Sequence, residues 1–280
     1  MKESLSVRFL YHTAFGRALL SLLVSPAISR AVGRYLDSGL SRCWIKSFQR
    51  KNAITLDGIA VPAGGFASFN DFFSRSREKV SFDEAPNALC SPCDAFLSCY
   101  RIDKASSFEI KNSRYSLSDL LEEAELAESF QGGTALIFRL TPAHYHRYHY
   151  IDNGTILAQK RIDGVLHCVR PIATELYPVY VQNSREYTLI RSEHFGDMVQ
   201  MEVGALFVGK IKNHTDSGEV RRGEEKGSFA FGGSTIVLLL QKDAVDPASF
   251  PDCIDNGREV PVMLGKSIAF YRNFTDKCLL

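Results

Sequence analysis

Residues 235–241 read Thr-Ile-Val-Leu-Leu-Leu-Gln, five large aliphatic side chains in a row at strand length. They close a series of short apolar or alternating runs that begins beyond residue 88: Ala135–Leu140, Gly164–Val169, Tyr177–Val181, Glu186–Ile190 and Met198–Lys212. Turn-forming residues part these runs, among them Asp152-Asn153-Gly154, Asp163-Gly164 and Asp216-Ser217-Gly218. The rhythm predicts a mainly antiparallel β core, barrel-like or sandwich-like, with few helices. No fixed-period repeat, low-complexity tract, phosphate-binding glycine loop or dinucleotide fingerprint interrupts it.

Toward the N-terminus the texture becomes helical. Phe9, Leu10, Leu19, Leu20, Leu22 and Leu23 stand among basic and small residues. Ser25-Pro26 supplies an N-cap and a first-turn proline. Ile28, Ala31, Val32, Tyr35 and Leu36 then recur at helical spacing with Arg30 and Arg34 on the other side, and Gly39 is placed to close that helix. Leu40–Phe48 sets Trp44, Ile45 and Phe48 on one face. A further short helix is expected from Ser68, with Phe69, Phe72 and Phe73 as its core face, and Asp119–Glu128 reads as an exposed acidic turn or two of helix. The expected fold class is α+β: an N-terminal helical region, residues 1–65, ahead of a β-rich domain, residues 66–280.

The chain carries 33 Lys and Arg against 32 Asp and Glu, a net charge of +1, which excludes a uniformly basic nucleic-acid binder. The charge is uneven. Residues 1–51 hold nine basic groups against Glu3 and Asp37, a net of +7, and the remainder carries −6. Basic residues beside aromatic and aliphatic ones suit helices lying on a membrane surface. Packing of the head against the rest of the chain is the other reading, and both can hold in one protein. Ala18–Val24 is too short to cross a bilayer, which takes roughly 20 apolar residues. Hydrophobic residues at 45% and charged residues at 23% exclude a disordered chain. The seven cysteines are scattered, and Cys90 and Cys93 form a C-x-x-C with no second pair to complete a zinc site, so reduced thiols of a cytosolic chain are expected.

Reactive groups concentrate in three places. Pro92 stiffens the turn Cys90-Ser91-Pro92-Cys93-Asp94, which presents one carboxylate, read on its own as a turn residue that makes a local hydrogen bond to backbone. Residues 141–149, Thr-Pro-Ala-His-Tyr-His-Arg-Tyr-His, hold three of the seven histidines. On a strand His144 and His146 share a face, while His149 needs a bend to join them. A metal site is one reading. Acid, base or hydrogen-bond donor is the other, favoured by the lack of a nearby acidic third ligand. The third place is Arg222–Thr235, where Gly232-Gly233-Ser234-Thr235 runs straight into the apolar strand. This is either a glycine corner or a serine whose preceding peptide bond is stripped of side chains and open to attack.

Read together, these segments resemble the phosphatidylserine decarboxylase family. The family's S-P-x-D-G is matched by Ser91-Pro92-Cys93-Asp94-Ala95, its D-Y-H-R-x-H by residues 144–149, and its R-G-E-E-x-G-x-F-x-x-G-G-S-T frame by the chain from Arg222. Phe66–Arg75 is similar to F-x-S-F-N-D-F-F-x-R, and Tyr115-Ser116-Leu117 with Leu120-Leu121 to Y-S-L-x-x-L-L. Asn183–Glu186 and Val203–Ala205 with Val208-Gly209 match further, so the resemblance runs in order over residues 66–241. Ala95 stands where the family has Gly, His144 where it has Asp, and Gly232 where it has Leu.

The resemblance implies a self-processing enzyme. Asp94, His149 and Ser234 correspond to a Ser–His–Asp set in which the imidazole takes the hydroxyl proton and the carboxylate orients the imidazole. Ser234 would attack the carbonyl of Gly233, and elimination would then leave a pyruvoyl group in place of Ser234, the cofactor. The two products would be a β chain, residues 1–233, and an α chain, residues 234–280, held together. The pyruvoyl carbonyl would take phosphatidylserine as a Schiff base and release carbon dioxide to give phosphatidylethanolamine, with His146 as the acid or base of that step. The implied partners are phosphatidylserine and the membrane surface, with peripheral placement on the cytoplasmic face of the cell membrane. A homodimer is allowed, and neither nucleic acid nor a metal is expected. Two other readings stay open: a non-processing lipid-binding homologue, and a metal-dependent enzyme using His144, His146 and His149.

Overall fold

The structure, a computed structural model, describes residues 5–110, 113–169, 173, 177–205, 210–232, 234–250, 252–254 and 257–270. Its strands are β1 (Ala88–Cys90), β2 (Ala95–Arg101), β3 (Ser107–Ile110), β4 (Ser113–Ser116), β5 (Thr134–Leu140), β6 (Arg147–His149), β7 (Gly154–Ile162) and β8 (Arg185–Ser192). They continue with β9 (Gly196–Val203), β10 (Ile211–Asn213), β11 (Gly218–Val220), β12 (Glu225–Phe229), β13 (Ser234–Leu240), β14 (Val260–Val262) and β15 (Ser267–Phe270). Eight of them form one sheet in the order β11-β7-β8-β9-β13-β5-β2-β14, with every neighbouring pair antiparallel. The class is α+β with an antiparallel core, as expected, but the sheet stays open and does not close into a barrel. Its edges β11 and β14 are three residues long, too short to template much further pairing. A small sheet β10-β12-β6 and the ribbons β1-β15 and β3-β4 complete the strands.

The aliphatic run of β13 is unbroken because both faces of the strand are covered. Val237 and Leu239 enter a core shared with Tyr11, Leu20, Tyr115, Leu120 and Tyr180. Ile236, Leu238 and Leu240 enter the opposite core with Tyr148 and Phe229 of the small sheet. Helices thus cover one face and the small sheet the other, a layered arrangement closer to a sandwich than to a barrel.

The head consists of α1 (Leu5–His12), α2 (Ala14–Leu23), α3 (Pro26–Asp37), a tight 3-10 turn over Gly39–Trp44, and α4 (Ile45–Lys51). Ser25 caps α3 by accepting from the Ala27 amide at 3.3 Å. Gly39 does not close α3. Extended Ser38 is the C-cap, and Gly39 opens the following turn. Tyr11, Leu20 and Val24 are buried in the core, and the Tyr11 hydroxyl accepts from the Cys168 amide at 3.0 Å, so the head packs on the β core. Helix α5 (Phe69–Phe73) starts at Ser68, whose Oγ accepts from the Asp71 amide, and it buries Phe69, Phe72 and Phe73.

Helices α6 (Leu117–Leu121) and α7 (Ala124–Glu128) occupy the acidic stretch, but Leu120 and Leu121 are fully buried. Two expected strands are something else. Tyr177–Val181 becomes helix α8 (Val179–Gln182), with Pro178 at its N-cap, because proline has no amide for a ladder. Gly164–Val169 makes a single bridge, Val165 to Asn183. Several of its other backbone groups bond to side chains: the Asn183 amide spans the N–H and C=O of His167, and Ser184 serves Gly164.

Candidate active site

Antiparallel register sets the site. Ser234 opens β13 and pairs with Leu140 at the end of β5, while Arg139 pairs with Phe96 of β2. Ser234, Leu140 and Ala95 therefore stand side by side, with Asp94 one residue beyond. Ser234 shares its parity with Ile236 and Leu238, so its side chain points toward the small sheet. From Leu140 the chain loops through residues 141–146 and returns as β6, which ends in His149. The His149 amide donates to the Pro92 carbonyl at 3.0 Å, fastening β6 to the turn that carries Asp94. The three reactive segments meet at one end of the sheet.

The groups they bring are buried and open. Ser234 is 1% exposed, His146 0% and His149 2%. Among the described residues Ser234 Oγ, His146 Nε2 and both ring nitrogens of His149 have no hydrogen-bond partner. An unsatisfied buried polar atom costs about 1–3 kcal/mol, and such atoms gather where chemistry needs them. His146 Nδ1 lies 2.9 Å from the His144 carbonyl. A carbonyl can only accept, so Nδ1 carries the proton and Nε2 holds the lone pair. Burial pushes the His146 pKa well below the usual imidazole value, helped by the nearby Arg75. Burial also takes His149 down to about 4, against an opposing pull from Glu225. Both imidazoles are neutral at pH 7 and able to accept a proton.

The three histidines of the loop do not converge. His144 Nδ1 accepts from the Thr141 amide, and its ring lies on Phe96. The His146 ring lies tilted against Phe73, with ring centres 3.9 Å apart. His144 and His146 do not share a strand face, because β6 starts only at Arg147. Among the described residues no three His, Cys, Asp or Glu side chains come close enough to hold a metal.

Asp94 has partners that sequence reasoning missed. Arg77 Nη2 donates to its Oδ2 at 2.5 Å, and the Leu264 amide donates to Oδ1 at 2.9 Å. The Arg77 guanidinium also lies over the Tyr145 ring at 4.6 Å. Arg147 donates to the Ser74 carbonyl and to Glu225, tying β6 to α5 and to β12. The aspartate is thus held beside the histidine segment, while among the described residues the His149 ring nitrogens have no hydrogen-bond partner. Sequence signals for Arg77 and Leu264 were absent, since their contacts with Asp94 span 17 and 170 residues.

The segment leading into Ser234 is braced from the head. Phe231 is surrounded by Phe48, Phe69 and Phe73, with ring centres 4.9–5.5 Å away. Its amide donates to Asn70 Oδ1, and Asn70 Nδ2 donates to Asp37 at the end of α3. Gly232 has φ 155°, a backbone region that favours glycine. Gly233 lies outside the described residues.

Between the two sheets, Lys226 of β12 and Glu202 of β9 form an ion pair at 2.6 Å with neither side chain exposed. Asn213 donates to Glu202 and Glu186 and accepts from Lys226 and Tyr148. Gln200 Nε2 reaches Glu202 and the His149 carbonyl. Burial raises the Glu202 pKa despite the lysine beside it.

Neutral imidazoles and a serine hydroxyl kept unpartnered in a protein interior are fitted to proton transfer, which places the chain among enzymes rather than binding modules. The phosphatidylserine decarboxylase family model matches residues 69–269. A phosphatidylserine decarboxylase proenzyme 2 of Clostridium acetobutylicum is 40% identical over 242 residues, 85% of this chain and 82% of the relative. The proenzyme of Ruminiclostridium cellulolyticum is 40% identical over 278 residues, 96% and 91% of the two chains. That of Clostridium perfringens is 36% identical over 271 residues, 94% and 92%. The chain belongs to the phosphatidylserine decarboxylase family and is a carboxy-lyase.

Proposed function

We propose that the chain cuts itself between Gly233 and Ser234 and then decarboxylates phosphatidylserine to phosphatidylethanolamine. The observation that carries this reading is the buried Ser234 hydroxyl, unpartnered among the described residues, at the start of β13, the end of the sheet to which the segment of His146 and His149 is fastened. His149 takes the hydroxyl proton, and Asp94 orients the imidazole once it turns from Arg77. Oγ attack on the Gly233 carbonyl moves the acyl group from nitrogen to oxygen. Loss of the Ser234 α-proton then expels Gly233 as a carboxylate, and water replaces the nitrogen as ammonia to leave a pyruvoyl group at position 234.

The residues present fit that group: position 234 is enclosed, and His146, whose ring lies against the same Phe73 that packs on Phe231, offers at Nε2 a lone pair with no donor among the described residues. A pyruvoyl carbonyl supplies an electron sink for the pair released with carbon dioxide. His146 holds and returns the proton at the carbon that loses carbon dioxide. Buried Phe73 keeps its ring in place and water away.

The head is assigned to peripheral binding at the cytoplasmic face of the cell membrane, with residues 1–65 as the docking region and 66–280 as the catalytic domain. Support comes from the net charge of +7 over residues 1–51 and from Phe15, Leu40 and Trp44, which are 74%, 77% and 56% exposed. Among the described residues no helix is long and apolar enough to cross a membrane.

A denaturing mass spectrum of the purified protein tests the cleavage. Two chains are expected, residues 1–233 and 234–280, the shorter with no free amino terminus. An uncut chain, or a small chain that reads Ser-Thr-Ile by Edman degradation, overturns the reading.

A further inference from the structure

Cys99 of β2 and Cys253, in the segment ahead of β14, bring their sulfurs to 2.8 Å, at 0% and 2% exposure. Their backbones are held together as well. The Cys99 amide donates to the Cys253 carbonyl at 3.4 Å, and Cys99 forms a parallel bridge with Ile254. Neighbouring bridged segments put Cα atoms within the span of a disulfide, roughly 4.4–6.8 Å. The two cysteines lie 154 residues apart, on opposite sides of the 233–234 bond.

We propose that Cys99 and Cys253 form a disulfide on exposure to a low-molecular-weight disulfide, a covalent link between the parts of the chain before and after residue 233. The hydrogen bond from Cys99 eases Cys253 toward the thiolate, which makes Cys253 the attacking sulfur. It displaces one thiolate from the oxidant and forms a mixed disulfide. Cys99 gives its proton to a departing thiolate, attacks the Cys253 sulfur and expels the second thiol. Two electrons pass from the protein to the oxidant, and both protons leave on the released thiols. Burial of both sulfurs slows exchange in the folded chain and, once the bond has formed, keeps it out of reach of reductants.

The link bears on the site. Downstream of Cys253, Val260 and Val262 of β14 pair with Leu97 and Ala95 of β2, and Leu264 then donates to Asp94. The disulfide anchors the far end of this arm. Its role as a bridge between two chains rests on the self-cleavage proposed above, whereas its formation does not.

The test uses full-length protein, reduced and then either refolded in oxidised glutathione or incubated with it in the native state. Samples are denatured, alkylated without reduction, digested and weighed. The expected result is a joined Cys99–Cys253 peptide, with chains 1–233 and 234–280 migrating as one band until reduced. Cys99→Ser or Cys253→Ser should let them separate without reductant, whereas Cys43→Ser should not. Alkylation of both Cys99 and Cys253 after both treatments overturns the proposal. An uncut chain that still contains the joined peptide would refute self-cleavage and leave the disulfide standing.

Discussion

His149 is held at about 4 by burial, and that single property predicts two pH responses of opposite origin. Self-cleavage needs the neutral ring, so its rate should be flat between pH 6 and 8 and fall only as pH approaches 4. A pulse of cell-free synthesis followed by a pH jump would measure it, and a midpoint near 6.5 would contradict the assignment. Stability responds earlier. The folded state disfavours the proton, so the contribution is complete above the unfolded value of about 6.5, drains away as pH falls and levels off below 4, at about 3 kcal/mol in all. Substitution separates the residues' roles. Ser234→Ala, His149→Gln and Asp94→Asn should leave an uncut chain or slow cutting by at least ~10²-fold. His146→Gln should still cut, yet lower decarboxylation by about 10²–10⁴-fold. Gel analysis of the chains and carbon dioxide release are the two readouts.

At the scale of elements, the brace from α3 through Asn70 to Phe231 predicts that the head assists cutting without touching the reacting atoms. Asn70→Ala leaves the Phe231 amide unpaired, at about 1–3 kcal/mol, and should slow cleavage roughly tenfold with little change in the circular dichroism spectrum. Unchanged kinetics would confine the contact to packing. The elements also differ in how legible they were. The unbroken run of β13 and the run Ala135–Leu140 were readable because apolar content alone marks a strand covered on both faces. Tyr177–Val181 was misread because one proline outweighed the apolar pattern, and Gly164–Val169 because Asn183 and Ser184 took over its hydrogen bonds. Asp94, His146, His149 and Ser234 were legible as chemical types in motifs. The hold of Arg77 on Asp94 was not, since it depends on where a separate loop comes to rest.

Across the whole molecule, two sheets are joined by the buried Lys226–Glu202 pair. Lys226→Met strands a carboxylate in the interior and should cost about 3–5 kcal/mol in urea denaturation, whereas adding Glu202→Met should recover most of the loss. Non-recovery would mean that the pair does more than neutralise itself. The head offers a second whole-molecule test. Protein should sediment with anionic vesicles, less so in 1 M salt where screening falls to roughly 3 Å, and without vanishing, because exposed Phe15, Leu40 and Trp44 contribute a salt-resistant part. Replacing those three with Ser, rather than deleting residues 1–51, leaves Tyr11, Asp37 and Phe48 in place to support the core. Equal sedimentation of the substituted protein would assign the head to packing alone.

Ser234 opens a strand that lies between β9 and β5, well inside the eight-stranded sheet. A cut just ahead of it changes the order of the folding reaction. The uncut precursor finds its native state by a first-order process, because every strand is tethered to its neighbours. Once severed, reduced and unfolded, the 47-residue piece would have to meet the larger fragment by diffusion, and regain of structure would become second order in protein concentration. On the proposed cleavage, the mature molecule with its thiols reduced would therefore be persistent but not self-restoring. Heat or denaturant should erase, at high dilution, a fold that the precursor recovers at any concentration.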